Sequence, residues 1–266
     1  MITLGVNTVL FAGHTFRTAM EHIQWAGYDA AEISAIRGMC EHLCLDSWKR
    51  DAADIKAIVE DLQLPLTAME AAALEEDRLL RAFEAGAEIG IPVVNVGPGG
   101  QMNHADDLKQ CIDLLAKLSE QAEAFGVTLC VKAHVGAAIW NTPATLQAMA
   151  QITSPAFGID MDPSHIHRAG EVPKEALAKV IARVKHVHIR DCQGPGPSPG
   201  APEFQACGRG EIDLMGYCNV LSDAGYDGPV NLEIIGAGDY PLSRCAIIAA
   251  ESYGYLNACL KSCGAR

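Results

Sequence analysis

A closed barrel of eight parallel strands, each followed by a helix, is the fold class that three observations predict. Short β-branched or apolar runs recur about every 30 residues, the size of one strand–helix unit. Each run is followed by a longer stretch of helical polar–apolar period, and composition shows no break along the 266 residues. Such alternation implies parallel strands joined by right-handed crossovers, and eight repeats close into an α/β barrel of the (β/α)8 type. One barrel domain spanning residues 1–266 is therefore expected. The competing open, doubly wound sheet would favour a Gly-rich dinucleotide turn after its first strand. The stretch GVNTVLFAGHTF carries no GxGxxG.

In chain order the runs are ITLGVN (2–7), YDAAEI (28–33), LPLTAM (64–69), PVVNVG (92–97), VTLCVKA (127–133), AFGIDM (156–161), VKHVHI (184–189) and PVNLEI (229–234). Between them the helical period is clearest over Ser47–Leu62, Glu75–Ile89, Asp106–Phe125 and Pro173–Arg183. Gly27, Gly90, Gly126 and Gly225 each fall between a helical stretch and the next strand, where a left-handed closing residue belongs. The segment Cys192–Gly208 is too rich in Gly and Pro for a helix and is expected to be an irregular loop at the barrel mouth.

The chain is 49% hydrophobic, enough for a large core, and its formal charge of −13 opposes a nucleic-acid backbone or an anionic membrane as partner. No apolar run is long enough to span a bilayer, and the first residues lack the basic region of a signal peptide. The ten cysteines are scattered, without a CxxC pair, and read as free thiols of a reducing cytoplasm.

Catalytic groups of such barrels sit at the C-terminal ends of strands. Strand 5 ends in Lys132-Ala-His134. Strand 6 runs into Asp160-Met-Asp162-Pro-Ser-His165, strand 7 carries His186, His188 and Asp191, and strand 8 ends at Glu233. Asp162, His188 and Glu233 can converge because each ends one of three neighbouring strands. Mixed carboxylate and imidazole ligands suit Mn²⁺, Mg²⁺, Co²⁺ or Zn²⁺. His186 and His188 share one face by the period of two, so one is expected as ligand and the other as support below it, with Asp191 orienting an imidazole. The competing reading makes Asp162 the cap of the following helix.

Four motifs in this order resemble the xylose isomerase-like superfamily of sugar phosphate isomerases and epimerases, which also includes endonuclease IV-type repair enzymes. FGIDMDPSH (157–165) is similar to the family's D-x-x-H after strand 6, and HVHIRD (186–191) to its H-x-H-x-K-D. GRGEID (208–213) and GYDGPVNLEI (225–234) look like its Gly-x-Gly-x-Ile-Asp turn and its last strand with a metal-binding Glu. The likeness runs over nearly the whole chain, most strongly from residue 127. It implies a TIM barrel with one divalent metal held at the ends of strands 5 to 8, where Asp162, His188 and Glu233 match three ligands. The fourth ligand is usually a glutamate in an E-x-H-like sequence, and this chain has Lys132 there. An ammonium cannot ligate a cation, which leaves three protein ligands, or His134 as a fourth.

The resemblance further implies a small keto-sugar, polyol or sugar acid as substrate, isomerised or epimerised through an enediolate with Lys132 and Glu233 as catalytic groups. With the strand-5 glutamate missing, Lys132 suits a dehydratase or decarboxylase on a keto-sugar acid as an alternative, serving as general acid, as a base if its pKa falls, or as a holder of negative charge. A non-catalytic sugar-binding barrel is the remote alternative, and the charge and Lys132 both oppose a nuclease. Glu32, His134, His165 and Arg209 are the expected substrate contacts, although Glu32 can equally pair with Arg37. Glu70, Asn95 and His104 are further candidates for sugar hydroxyls, and Trp140 for an apolar wall. Barrels of this kind are usually homo-oligomers, which is expected here too.

Overall fold

Eight parallel strands alternate with helices and close on themselves in the computed structural model, which describes residues 1–266. The strands are β1 (Thr3–Asn7), β2 (Ala30–Ile36), β3 (Leu66–Ala72), β4 (Val93–Val96), β5 (Thr128–Lys132), β6 (Phe157–Asp160), β7 (Val184–Ile189) and β8 (Pro229–Leu232). Each pairs with its neighbours in sequence, and β1 closes the ring by pairing with both β2 and β8. A two-residue strand, Cys40–Glu41, adds an antiparallel edge to the end of β2. The sequence prediction of a (β/α)8 barrel therefore holds.

The helices are α1 (Phe16–Trp25), α2 (Trp48–Leu62), α3 (Glu76–Ile89), α4 (Ala105–Ala124), α5 (Thr142–Gln151), α6 (Pro163–Arg168), α7 (Pro173–Val180), α8 (Pro202–Gln205), α9 (Leu214–Asp223) and α10 (Leu242–Ser262). Their ends follow from local chemistry. Asn141, Asp162 and Asp213 accept a backbone N–H as N-caps of α5, α6 and α9, and Gly90 closes α3 at φ 90°. None of these helices is long and apolar enough to cross a membrane. The ten cysteines are all unpaired.

The sequence places some boundaries wrongly, and for one reason. The apolar runs predicted β2 and β3 to stop near residues 33 and 69, yet the strands continue to Ile36 and Ala72. The runs stop where inward-facing polar residues, Ser34 and Glu70, interrupt the apolar pattern, although both are buried. In the other direction, β6 ends at Asp160, so Asp162 lies beyond it as the cap of α6. The 192–208 loop is not wholly irregular, since it contains α8.

Alternation sorts the strand side chains into two sets. Val131, Ile159, Val187 and Leu232 are buried in the large apolar core that joins barrel and helices. On the other face, Ala68, Val93 and Cys130 form a separate small cluster, two residues before Glu70, Asn95 and Lys132 on the same strands. They are the apolar floor under a polar interior. Gly5 makes room there, since a Cβ at that position would lie 2.2 Å from Asn231 Oδ1.

Candidate active site

Strand register sets the polar groups inside the barrel in two layers. The lower layer centres on His188. Its Nδ1 lies 2.6 Å from Asp160 Oδ2 and its Nε2 2.6 Å from Glu32 Oε2. Burial on its own pushes this imidazole down, but the two carboxylates reverse the effect and hold it well above the usual histidine range. His188 is therefore an imidazolium donating from both nitrogens. Asp160 also receives His186 Nδ1 at 2.9 Å, while Asn231 Nδ2 donates to His186 Nε2 at 2.8 Å. That pair of contacts fixes His186 with its proton on Nδ1. Asn95 Nδ2 donates to the other oxygen of Glu32 at 2.7 Å.

The upper layer centres on Lys132 and Arg190. Lys132 Nζ donates to Glu70 Oε1 at 3.0 Å and Glu233 Oε1 at 2.8 Å, and lies 3.2 Å from His188 Nδ1. Asn7 Nδ2 holds the second oxygen of Glu70 at 2.7 Å. Arg190 reaches Asp162 Oδ2 at 2.9 Å through Nη2 and Ser164 Oγ at 2.8 Å through Nε. Its Nη1 stands 3.2 Å from Glu233 Oε2 as a charge contact without hydrogen-bond alignment, and that oxygen has no donor. All of these side chains are buried.

The electrostatics follow from this packing. Burial pushes Lys132 down, yet Glu233 and Glu70 more than offset it and keep the ammonium charged. Of the roles open to Lys132 from the sequence, the one conditional on a fallen pKa, that of base, is thereby removed: two carboxylates within hydrogen-bond reach move it the other way. Burial and the neighbouring Glu233 push Glu70 up to about 8. Glu233 goes in the opposite direction, because Lys132, Arg190 and His188 outweigh its burial. Two adjacent carboxyl groups are thus driven apart, one towards the acid and one held as the carboxylate.

Above them a cavity of about 400 Å³ opens at the C-terminal mouth, the right size for a small sugar. Glu70, Lys132, His134, His165, Arg168, Arg190 and Glu233 line it, together with Ile36, Met39, Ile235 and the Pro197–Pro199 segment. His134 packs against His165 with ring centroids 4.2 Å apart and the rings tilted by 43°. Arg168 is buried, and its contacts are all neutral: Ser164 O, Pro197 O and His165 Nδ1.

The predicted residues divide accordingly. Lys132, His134, His165 and Glu233 reach the cavity. Glu32 sits deeper, engaged with His188 and Asn95 rather than with Arg37. Arg209 is exposed and paired with Glu251 through two hydrogen bonds, away from the cavity. Asp162 caps α6 and also receives Arg190. His104 pairs with Asp107 at the surface, Asn95 supports Glu32, and Trp140 is half-buried outside the cavity lining. Asp191 orients no imidazole. Its carboxylate accepts backbone N–H groups of Cys192, Gly208 and Ile212 at 3.0 to 3.1 Å and so folds the mouth loop. Arg168 and Arg190 were missed by the sequence reading. The available signal was the Arg in HVHIRD, where the resembled motif has Lys.

Two groups of side chains are close enough to hold a metal ion: Glu32 with His186 and His188, and Glu70 with His188 and Glu233. Asp162 belongs to neither. As arranged, their chemistry does not fit a dication. In the first group both nitrogens of His188 donate to carboxylates, which leaves no lone pair for a metal. In the second, the Lys132 ammonium already lies within 3.2 Å of an atom of all three members. Metal–oxygen bonds of roughly 2.0–2.2 Å would require that ammonium to leave.

A family model described as xylose isomerase-like TIM barrel matches residues 20–251. An inosose dehydratase of Clostridium perfringens is 27% identical over 149 residues, covering 51% of this chain and 50% of that protein. Among solved structures, D-psicose 3-epimerase from Clostridium cellulolyticum H10, described with D-tagatose, superposes with a TM-score of 0.81 at 14% identity, covering 97% of this chain and 99% of that one. The IOLI protein with a binding zinc atom superposes with a TM-score of 0.78 at 18% identity, covering 97% and 99%. At these identities the structural likeness is one of fold.

Proposed function

We propose, from the premise that the chain belongs to the xylose isomerase-like TIM barrel family, that it is an enzyme of the isomerase and epimerase type acting on a small hydroxy-carbonyl carbohydrate. One observation carries this reading: Lys132 bridges Glu70 and Glu233 at the base of a sugar-sized cavity. Glu233 Oε2, the oxygen without a hydrogen-bond donor, takes the proton from the carbon next to the carbonyl. The electron pair moves to the carbonyl oxygen, and the Lys132 ammonium stabilises the enediolate charge. Glu70, whose carboxyl burial and Glu233 push up to about 8, gives a proton to the same carbon from its other face as the electron pair returns from the oxygen, and proton exchange with solvent then resets the two carboxyl groups. The step is redox-neutral and uses only these side chains.

Arg168 favours a second reading. A buried guanidinium without a carboxylate partner lines the cavity, which suits a substrate carboxylate and hence a lyase acting on a keto-sugar acid. The family's inosose dehydratase relative is a lyase by its name.

Incubation in D₂O with a panel of ketoses and keto-sugar acids tests both. Deuterium at the α-carbon without net conversion supports the epimerase reading, and loss of water or CO₂ from the acids supports the lyase. Binding without exchange or turnover across the panel rejects both and leaves a sugar-binding barrel.

A further inference from the structure

We propose that Lys132 and Arg190 together replace the divalent ion of the resembled family, so that this barrel supplies its two positive charges from its own chain and binds no catalytic metal. The proposal deepens the reading above and rests on it only for the substrate chemistry; the placement of the cations is independent of it.

Lys132 stands at the end of β5, where the resemblance expects a ligating glutamate, and its ammonium binds Glu233 Oε1 at 2.8 Å and Glu70 Oε1 at 3.0 Å. Arg190 follows β7 and contacts Asp162 Oδ2 at 2.9 Å and Glu233 Oε2 at 3.2 Å. Glu233 is thereby shared, one oxygen facing each cation, as a bridging carboxylate would be shared in a metal site. Of the expected ligands, Asp162 and Glu233 are held by these two cations, and the third, His188, is engaged on both nitrogens by Asp160 and Glu32.

Fixed cations also explain why the polar layer is so heavily tied down. Arg190 is 2% exposed and is further anchored by Ser164 Oγ at 2.8 Å. Admitting an ion beside this guanidinium would break these contacts and leave it buried without an anionic partner, unless a further carboxylate is supplied. Two monovalent cations carry the same total charge as one dication, spread over a wider span. They stabilise an oxyanion through N–H donors at hydrogen-bond distance rather than through a bond to a metal.

The test needs no substrate. Full-length protein, stripped with EDTA and dialysed, is titrated with Mn²⁺, Co²⁺, Zn²⁺ and Mg²⁺ by calorimetry, and its metal content is measured by elemental analysis before and after. Expected are far less than one equivalent per chain and a melting temperature unchanged by EDTA or by added metal. The variant Lys132→Glu is expected to gain about one equivalent of ion per chain and a melting temperature that rises with metal concentration. Either stoichiometric, chelator-sensitive metal in the unaltered protein, or a folded Lys132→Glu chain that gains none, overturns the proposal. If Lys132→Glu does not fold, the titration of the unaltered chain decides alone. Failure of the carbohydrate reading shows itself separately, as absence of deuterium exchange, and leaves the metal titrations untouched.

Discussion

The Lys132 ammonium lies 2.8 Å from Glu233 Oε1, so the end of the fifth barrel strand and the end of the eighth meet in a buried ion pair. Both side chains are about 95% sequestered from solvent, at 5% and 4% exposure. A charge pair in such surroundings is costly to break by removing one partner, because the survivor stays buried.

Glu233→Gln removes the anion that Lys132 and Arg190 share. Stability is expected to drop by about 3 kcal/mol, the order seen when one member of a buried pair is lost. Turnover is expected to fall by roughly 10²–10⁴-fold, as for loss of a general base. Urea unfolding monitored by circular dichroism gives the first quantity, and deuterium exchange into substrate the second. Wild-type exchange in a folded variant would remove Glu233 from the mechanism.

Lys132→Met leaves Glu70 and Glu233 facing each other with no ammonium between them. The Glu70 carboxyl, already pushed up to about 8 by burial and by Glu233, then loses the cation that favours its charged form and is expected to rise further. Stability should decrease less than in Glu233→Gln, because a shared proton can take over part of the cation's role. Exchange should fall by roughly 10²–10³-fold, the order expected when one oxyanion-stabilising donor is removed. Comparison of the two unfolding curves and two exchange rates checks the ordering.

Asp191→Ala tests the mouth loop. The carboxylate accepts backbone N–H groups from Cys192, Gly208 and Ile212, so its removal leaves three backbone donors without that acceptor. A loss of about 2–4 kcal/mol is expected, less than three separate charge-assisted bonds of about 1.5–3 kcal/mol each, because opening of the mouth loop lets water take over some of the freed donors. Amide hydrogen exchange should accelerate across residues 192–212 while β1 to β8 stay protected. Uniform acceleration would mean that Asp191 stabilises the whole barrel rather than this loop.

Much of the fold is legible in the sequence, and the exceptions have a common cause. The strand–helix alternation disclosed the barrel because hydrophobic periodicity is a local property. Lys132 and Glu233 are legible because residues at strand ends face the mouth, and His165 because it follows such an end within one short helix. The partner of each charge is not, because pairing depends on neighbouring strands. Asp162 was expected to face an ion and instead meets Arg190. Arg209 looked like an anion clamp in the sequence, while its neighbour in space is Glu251 on α10. Nothing in the sequence singles out Arg168, whose guanidinium lines the cavity from the end of the short α6.

Arg168→Gln separates the two substrate classes. The guanidinium donates to Pro197 O at 2.9 Å and to Ser164 O at 3.2 Å but meets no carboxylate of the protein. A buried cation with neutral partners has unspent capacity for an anion, and a substrate carboxylate at the cavity would meet it. A hydrogen bond to a charged group contributes about 1.5–3 kcal/mol, so removing the charge is expected to raise KM for keto-sugar acids by roughly 10- to 100-fold. Neutral ketoses should show a much smaller change, limited to the slackening of the Pro197–Pro199 segment. Steady-state kinetics with matched acid and neutral substrates reads the difference directly. An equal loss on both would assign Arg168 to holding the loop, whereas a selective loss on the acids would identify it as the group that recognises the substrate carboxylate.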